Sequence, residues 1–229
     1  MKLDWRDWVG LACALAIAGV CVRLGFWQID RLRQRRARNA VVLAARDRPP
    51  LAVTAALSAD SARDRRLVAH GVYDYANERL WHGRGYEGIP GVALITPLRL
   101  ADGSAVLVDR GWAPSPDAYH VDQQAFREAD TAEVLGLGMT APRGRGDVNS
   151  VNLRDSVPYP LLPFVIQQLP PSTALYRLLP PGLHRWPAPE LSDGPHLAYA
   201  IQWFSFAVIT VVGSAALARK RAREGVGYQ

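Results

Sequence analysis

The stretch that decides the fold of this 229-residue chain is the run from Leu197 to Ala218, LAYAIQWFSFAVITVVGSAALA. It contains no formally charged side chain, and four basic residues follow within the next five positions. A transmembrane helix needs about 20 consecutive apolar residues to cross about 30 Å of hydrocarbon. A helix this apolar could also lie inside a large soluble core, but a chain of this size has no core able to surround it. We therefore predict a membrane span at 197–218 and a basic tail at 219–229.

A second apolar stretch lies near the amino terminus. Residues 8–29, WVGLACALAIAGVCVRLGFWQI, contain one charged side chain, Arg23. A cleaved signal peptide is the alternative, because Ala16-Ile17-Ala18 resembles a small-residue cleavage site. Cleavage there would leave a very short apolar core and discard half of a stretch that stays apolar to Ile29. We therefore favour a transmembrane helix at 8–29.

The positive charge of the chain is concentrated beside the first span. The formal net charge is +6, yet residues 49–218 carry 13 basic and 16 acidic residues, a net charge of −3. Residues 31–48 carry seven arginines and one acidic residue, and no Gly or Pro interrupts the run until Pro49. This pattern predicts a basic juxtamembrane helix at 30–48. It argues against nucleic-acid binding, which needs basic residues spread over a folded face.

The two cysteines, Cys13 and Cys21, both lie in the first span and are separated by about 12 Å along a helix. They cannot form a disulfide with each other. The central domain has no cysteine, so cysteine usage does not indicate its compartment.

Two spans place both termini on one side of the membrane and the intervening domain on the other. The basic cluster after Ala218 favours cytoplasmic termini, whereas the arginines of 31–38 draw the start of the intervening domain to the cytoplasm as well. Charge alone leaves the orientation open.

The region 49–195 is predicted to form a β-rich soluble domain. Short apolar runs alternate with turn residues, and 101–104 has the composition of a hairpin turn. The spacing lacks βαβ units, which predicts an antiparallel, barrel-like sheet. The predicted strands are 66–75, 78–82, 91–100, 105–109, 133–139 and 163–169, and the predicted loops are 141–160 and 170–195. The fold class is an integral membrane α+β protein with a helix at each end.

The common enzyme motifs are not supported. Residues 83–88 match G-x-G-x-x-G, but the dinucleotide site requires a helix to begin there, and Ile89-Pro90-Gly91 follows instead. A similar glycine pattern at 136–141 ends at Pro142. A membrane-anchored hydrolase remains a minor alternative, because the sequence does not group its histidines with serine and aspartate. These histidines are His70, His82, His120, His184 and His196.

Polar and aromatic side chains cluster at one end of each span. His196, Tyr199 and Trp203 fall within a sector of about 60° on the second helix, with Gln202 at its edge. Antiparallel spans bring this end of the second helix to the end of the first helix. We therefore expect the two clusters to meet.

The matching cluster on the first helix consists of Arg23 and Trp27 on one face, with Gln28 beside them. An aromatic belt with a snorkelling arginine would explain the tryptophans, the tyrosine and the arginine. It explains the amides and the imidazole less well, because polar groups within a span are costly unless they have partners or a function.

Four blocks of sequence resemble the Surfeit locus protein 1 family. They keep their order and spread over nearly the whole chain. The blocks are Leu24-Gly25-Phe26-Trp27-Gln28 with Arg31-Leu32, Ile89-Pro90-Gly91 with Thr96-Pro97-Leu98, Val106-Leu107-Val108-Asp109-Arg110-Gly111-Trp112-Ala113-Pro114, and His196-Leu197-Ala198-Tyr199-Ala200-Ile201-Gln202-Trp203-Phe204.

The resemblance implies an assembly factor for haem-copper cytochrome c oxidase without catalytic activity of its own. It implies a bacterial inner-membrane protein with cytoplasmic termini and a periplasmic domain. It also implies that haem a is received from haem a synthase and passed to oxidase subunit I. The membrane histidine of the family falls on His196.

The residue types suit this role. A neutral imidazole at His196 is a suitable axial ligand for haem iron. Arg23 or Arg110 could bind the haem carboxylates, and Trp27 or Trp203 could stack on the ring, while membrane lipid holds the isoprenoid tail. The alternative is a scaffold for subunit I that does not bind haem. Its docking surface would be Arg110-Gly111-Trp112.

Overall fold

The computed structural model describes residues 5–140, 156–171 and 179–224, without the side chains of residues 222 and 224. The chain divides into two compact units. The first contains residues 1–41 and 191–229, and the second contains residues 42–190. Parts of the predicted loops, 141–155 and 172–178, and the last five residues of the predicted tail lie outside the described residues.

The first unit contains most of α1, which spans Trp5–Asp47, and the carboxyl-terminal helix at His196–Glu224. Both contain an apolar stretch long enough to cross a membrane. Only 22% of this stretch in α1 and 11% in the second helix are buried, which is unlike the core helix of a soluble protein. The two helices indicate a membrane protein, and they confirm the predicted apolar helix near each end.

The span predicted at 8–29 and the basic helix predicted at 30–48 form one continuous helix in the structure. The arginine-rich segment begins at Arg31, beyond the apolar stretch, and occupies about the last five turns of this helix. The helix ends at Asp47, directly before Arg48 and the two prolines, because a proline disfavours helical geometry in the residue before it.

The buried residues of α1 form a seam that repeats every four and three positions: Ala14, Ala18, Cys21, Gly25, Gln28 and Leu32. This spacing keeps one stripe of a helix facing its partner. Small side chains allow the partner helix to approach closely. A Cβ atom on Gly25 would lie 2.6 Å from the Phe204 ring, so a larger residue there would force this ring to move.

Polar contacts hold the two ends of the helix pair. Arg36 Nε donates to Asp193 Oδ2 at 2.8 Å, and Arg35 and Asn39 both donate to the carbonyl of Ser192. At the other end, Arg221 Nη1 lies 3.1 Å from Asp7 Oδ1. The contacts of Ser192 and Asp193 fix the segment that leads into the carboxyl-terminal helix against α1, and the Arg221–Asp7 pair joins the opposite ends of the two helices.

The second unit is a β-barrel with short helical turns. Its strands are β1 (Leu51–Ala52), β2 (Arg66–Tyr73), β3 (Arg79–Tyr86), β4 (Ile89–Leu100), β5 (Ala105–Pro114), β6 (Thr131–Thr140) and β7 (Leu161–Gln168). Its helical segments are α2 (Ala59–Ala62) and two 3-10 turns, Tyr75–Asn77 and Gln123–Phe126. We number the carboxyl-terminal helix His196–Glu224 as α3.

The barrel is closed by five strands in the order β2-β6-β7-β5-β4, and β4 pairs back onto β2. Two further strands extend the sheet, β1 beside β2 and β3 beside β4. Leu67, Leu98, Val106, Phe164 and Ile166 fill the main core and are at most 1% exposed. The predicted barrel-like domain is therefore confirmed.

The predicted antiparallel arrangement is wrong for two strand pairs, because β5 pairs with β7 and β1 with β2 in parallel. The prediction assumed that a parallel pair needs a helical crossover. In sequence, β6 lies between β5 and β7. It pairs with the edge of β7 that is opposite β5, so the connection between the two parallel strands contains a strand where a helix was expected.

The structure agrees with the rejection of a dinucleotide motif. Residues 83–86 of the G-x-G-x-x-G match belong to β3. Glu87 and Gly88, with φ angles of 50° and 81°, form the tight turn into β4. The second glycine pattern lies largely in β6. Within the described residues of the two patterns, 83–88 and 136–140, no helix begins that could face a pyrophosphate.

Candidate functional site

A hydrogen bond joins the two predicted polar clusters within the helix unit. His196 Nδ1 lies 2.8 Å from Gln28 Oε1. Gln28 occupies a seam position of α1 and is 9% exposed, and His196 is the first residue of α3. The antiparallel pairing of the helices therefore brings this imidazole and this amide together from positions 168 residues apart.

The hydrogen bond selects one form of the imidazole. With Gln28 Oε1 as the acceptor, the matching neutral tautomer of His196 has its proton on Nδ1 and its lone pair on Nε2. Gly194 precedes this ring with a φ of 73°, and a Cβ atom there would be in ordinary van der Waals contact with Nε2, at 3.6 Å. The pair can hold a neutral imidazole ready to bind a metal ion from one side.

The other predicted helix residues are not all on the inner face. Trp203 is half-buried against the cluster of Ala18, Cys21 and Ala207 and contacts the Phe206 ring edge-on. The remaining four are exposed. These exposed residues are Arg23, Trp27, Tyr199 and Gln202. The guanidinium of Arg31, one turn along α1, lies 5.4 Å from the Trp27 ring.

Arg110 lies in the barrel interior and not in the helix unit. It is fully buried and donates to Thr96, Glu78, the Phe126 carbonyl and Glu128. Because these protein acceptors occupy its guanidinium, the prediction that Arg110 binds a haem carboxylate is not supported. Burial lowers the pKa of Arg110, but Glu78 and the other acidic groups raise it above its ordinary value.

The predicted docking surface at Arg110-Gly111-Trp112 is also buried. Trp112 is 4% exposed, and its backbone pairs with that of His184 in both directions. Gly111 has a φ of 131°, and a Cβ atom there would lie 2.4 Å from the His184 carbonyl oxygen. This tripeptide anchors the 184–186 segment to the barrel and does not present a surface to a partner.

Residues that the sequence did not indicate form a cavity of about 500 Å³ in the barrel unit. Arg84, Asp109, Gln167 and Trp186 all line it. They come from three strands and a loop, and no spacing in the sequence connects them. Asp109 is 6% exposed and accepts a hydrogen bond from the Gly111 backbone. Burial raises the pKa of Asp109 to about 6, although Arg84 and this hydrogen bond act to lower it.

We expect Asp109→Asn to stabilise the barrel at neutral and higher pH. The folded protein holds the proton of Asp109 more tightly than the unfolded chain does, so wild-type stability falls as the pH rises from about 4 to 6. Above this window the ionised carboxylate costs about 3 kcal/mol. Urea unfolding of both proteins at pH 4 and pH 8 measures the difference. It should approach about 3 kcal/mol at pH 8 and vanish at pH 4.

The matched control is Asp102→Asn, at an exposed turn where Ser104 and backbone hydrogen bonds lower the pKa of the carboxyl. A lowered pKa has the opposite effect, so this substitution should not stabilise the protein at pH 8. An Asp109→Asn protein that is less stable than wild type at pH 8 would contradict the assignment.

The chain combines two apolar helices, which suggest a membrane protein, with a five-strand barrel, and His196 of the helix unit is hydrogen-bonded to Gln28. The SURF1 family profile matches residues 15–208. The chain belongs to the SURF1 family, which is a family of oxidase assembly factors and not of enzymes.

Individual relatives agree with this membership. The chain is 27% identical to uncharacterized SURF1-like proteins of Mycobacterium bovis and Mycobacterium tuberculosis, across 96% of this chain and 88% of each relative. It is 23% identical to a SURF1-like protein of Rickettsia felis, across 84% of this chain and 89% of the relative.

Proposed function

We propose that this protein binds haem a through His196 and aids its insertion into subunit I of a haem-copper cytochrome c oxidase. The observation that supports this proposal is the hydrogen bond between His196 Nδ1 and Gln28 Oε1. It leaves His196 Nε2 with a lone pair, as an axial ligand of haem iron requires. Membership of an assembly-factor family supplies the oxidase context.

Gln28 has a positioning role in this proposal. Histidines that bind metals usually donate their other ring N–H to a carboxylate, carbonyl or water, which fixes the ring and makes the ligand more basic. The Gln28 amide oxygen provides such an acceptor from a nearly buried position. Its own orientation is held because it lies in the packed seam of α1.

Haem a would supply an iron atom, a flat apolar ring, an isoprenoid tail and two carboxylates. The exposed Trp27 and the half-buried Trp203 offer aromatic surface for ring contact. Arg23 offers an exposed guanidinium for a carboxylate. The exposed Tyr199 and Gln202 lie on the same helix as His196, and membrane lipid would hold the tail.

The proposed setting is a bacterial inner membrane, with both termini in the cytoplasm and the barrel in the periplasm. Haem a synthase would supply the haem, and oxidase subunit I would receive it. The apolar stretches of α1 and α3 support insertion into a membrane. The basic residues after Ala218 support cytoplasmic termini.

An absorption spectrum of the full chain, purified in detergent from cells that make haem a, tests the proposal. We expect haem in a stoichiometric amount, and its pyridine adduct should identify it as haem a. The same cells without haem a synthase provide the control preparation. A haem-free protein from cells that make haem a, in which oxidase assembly still depends on this chain, would favour the scaffold function instead.

A further inference from the structure

The cavity of the barrel unit has the features of a second binding site. It lies beside β3, which pairs only with β4 among the described strands, and its opposite wall is the segment 186–190. All of its lining residues belong to the barrel unit. Its volume of about 500 Å³ is within the range of small-molecule sites, about 300 to 1,000 Å³.

Two buried N–H groups of the lining residues have no acceptor among the described residues. They are Arg84 Nε and Trp186 Nε1. Arg84 also stacks on Trp81, with its guanidinium 3.9 Å from the ring centroid, so the side chain is held in place. Buried donors without partners are costly and uncommon in native proteins. Both atoms are enclosed by protein, but the two Nη atoms of Arg84 are not among these enclosed groups, so a ligand carboxylate in the cavity would bind there.

The same cavity also contains an acidic group, the Asp109 carboxylate, which is not paired with the Arg84 guanidinium. Arg84 lowers the pKa of Asp109 through its charge, yet the two side chains form no direct ion pair in the described structure. Burial opposes the ionised form of Asp109. At pH 7.5 the carboxylate is nevertheless ionised, because its pKa is about 6. A cationic group on the ligand would compensate for this buried negative charge.

The wall opposite β3 is held in position before any ligand binds. Gln167 Nε2 donates to the carbonyls of Trp186 and Pro187, at 3.2 and 3.0 Å. Arg46 Nη1 donates to the carbonyl of Pro189 at 2.7 Å. The Tyr86 ring packs edge-on against Trp186, with a centroid distance of 5.3 Å. Such a preorganised wall reduces the entropy cost of binding.

We propose that this cavity binds a small zwitterion of the amino-acid or short-peptide class. The ligand carboxylate lies against Arg84 and Trp186, and its ammonium group lies against Asp109. A simple anion would face the Asp109 carboxylate, and a simple cation would face the Arg84 guanidinium. Trp186, Pro187 and Pro189 offer apolar surface for the ligand's side chain.

Calorimetric titration of the full chain in detergent at pH 7.5 tests this proposal with three dipeptide probes. The probes are L-alanyl-L-leucine, its N-acetyl derivative and its C-terminal amide. We expect the unmodified dipeptide to bind and each blocked derivative to bind at least about tenfold more weakly, because each lacks one charged hydrogen-bonding group. Titration into empty micelles corrects for partitioning of the probes.

Two substitutions test which protein group recognises the carboxylate of the dipeptide and which recognises its ammonium group. Arg84→Gln should abolish the preference for the dipeptide over its amide but keep the preference over the N-acetyl derivative. Asp109→Asn should abolish the preference for the dipeptide over its N-acetyl derivative but keep the preference over the amide. Arg63→Gln, which removes an exposed arginine outside the cavity, should change neither preference. A thermal unfolding transition confirms that each variant is folded.

Several results would overturn the proposal. One is the absence of saturable binding of the unmodified dipeptide to the wild-type chain at millimolar concentrations. Another is equal binding of all three probes, which would show that the terminal charges are not recognised. A third is the loss of both preferences in the Arg63→Gln control.

Discussion

His196→Ala is expected to lose haem a almost completely when purified beside the parent protein from the same cells. The substitution removes the imidazole whose Nε2 lone pair is available to iron, and no other histidine belongs to the described helix unit. The ratio of haem absorbance to protein measures the loss. His70→Ala, at an exposed position on β2, is the matched control and should retain the parental ratio.

Substitutions of Gln28 separate a positioning role from a merely structural one. Gln28→Leu removes the acceptor for His196 Nδ1 and should weaken haem binding about 10- to 100-fold. Gln28→Glu keeps an acceptor at this position and should restore most of the affinity. Gln202→Leu, at an exposed amide on α3, should have no effect.

The spectrum provides a readout that a packing defect would not produce. Loss of the Nδ1 hydrogen bond changes the basicity of an axial imidazole, so residual haem in Gln28→Leu should have shifted absorption bands. Unchanged haem content in both His196→Ala and Gln28→Leu would show that this imidazole is not the ligand.

Arg110→Met is expected to destabilise the barrel by about 3 to 5 kcal/mol. Arg110 is fully buried and pairs with Glu78 at 2.9 Å and with Glu128 at 3.1 Å. Methionine fills much of the space but leaves the carboxylate of Glu78 buried without a cation. Glu128 keeps one partner, because Arg185 also contacts it. Urea unfolding of the full chain at pH 7 measures the loss.

A double substitution tests whether the uncompensated charge causes this loss. Arg110→Met combined with Glu78→Leu removes both members of the pair and should be more stable than Arg110→Met alone. Arg99→Met, at an exposed position on β4, is the control and should change stability by about 0.5 kcal/mol or less. A loss below about 1 kcal/mol in Arg110→Met would contradict a tightly coupled ion-pair network.

Much of the fold could be predicted because its signals are local. The apolar runs at each end were long enough to identify both helices, and alternating runs located all the longer strands. The predicted strand at 91–100, for example, is observed as Ile89–Leu100. The direction of strand pairing was not predictable from local signals. It depends on β6 passing to the far side of β7, which is a property of the whole barrel.

The candidate site was predicted only in part for a similar reason. Antiparallel helices explain why His196 and Gln28 meet. The helical period alone did not indicate which face is buried, and Tyr199 proved to be exposed beside the buried Ala200. Small residues decide this face, since they allow the closest helix approach. Arg110 was misassigned because its motif gives no sign of the glutamates that surround it in three dimensions.

The seam of α1 places a constraint on the chemistry of His196. Gln28 follows Gly25 and precedes Leu32 in the same repeat that packs the helices. A one-residue insertion between Gly25 and Gln28 would leave the hydropathy unchanged but rotate the amide by about 100° around the helix axis. Sliding one helix past the other by a single turn, about 5.4 Å, would likewise separate the amide from the ring. The hydrogen bond that orients the imidazole therefore depends on how the two helices are aligned along each other.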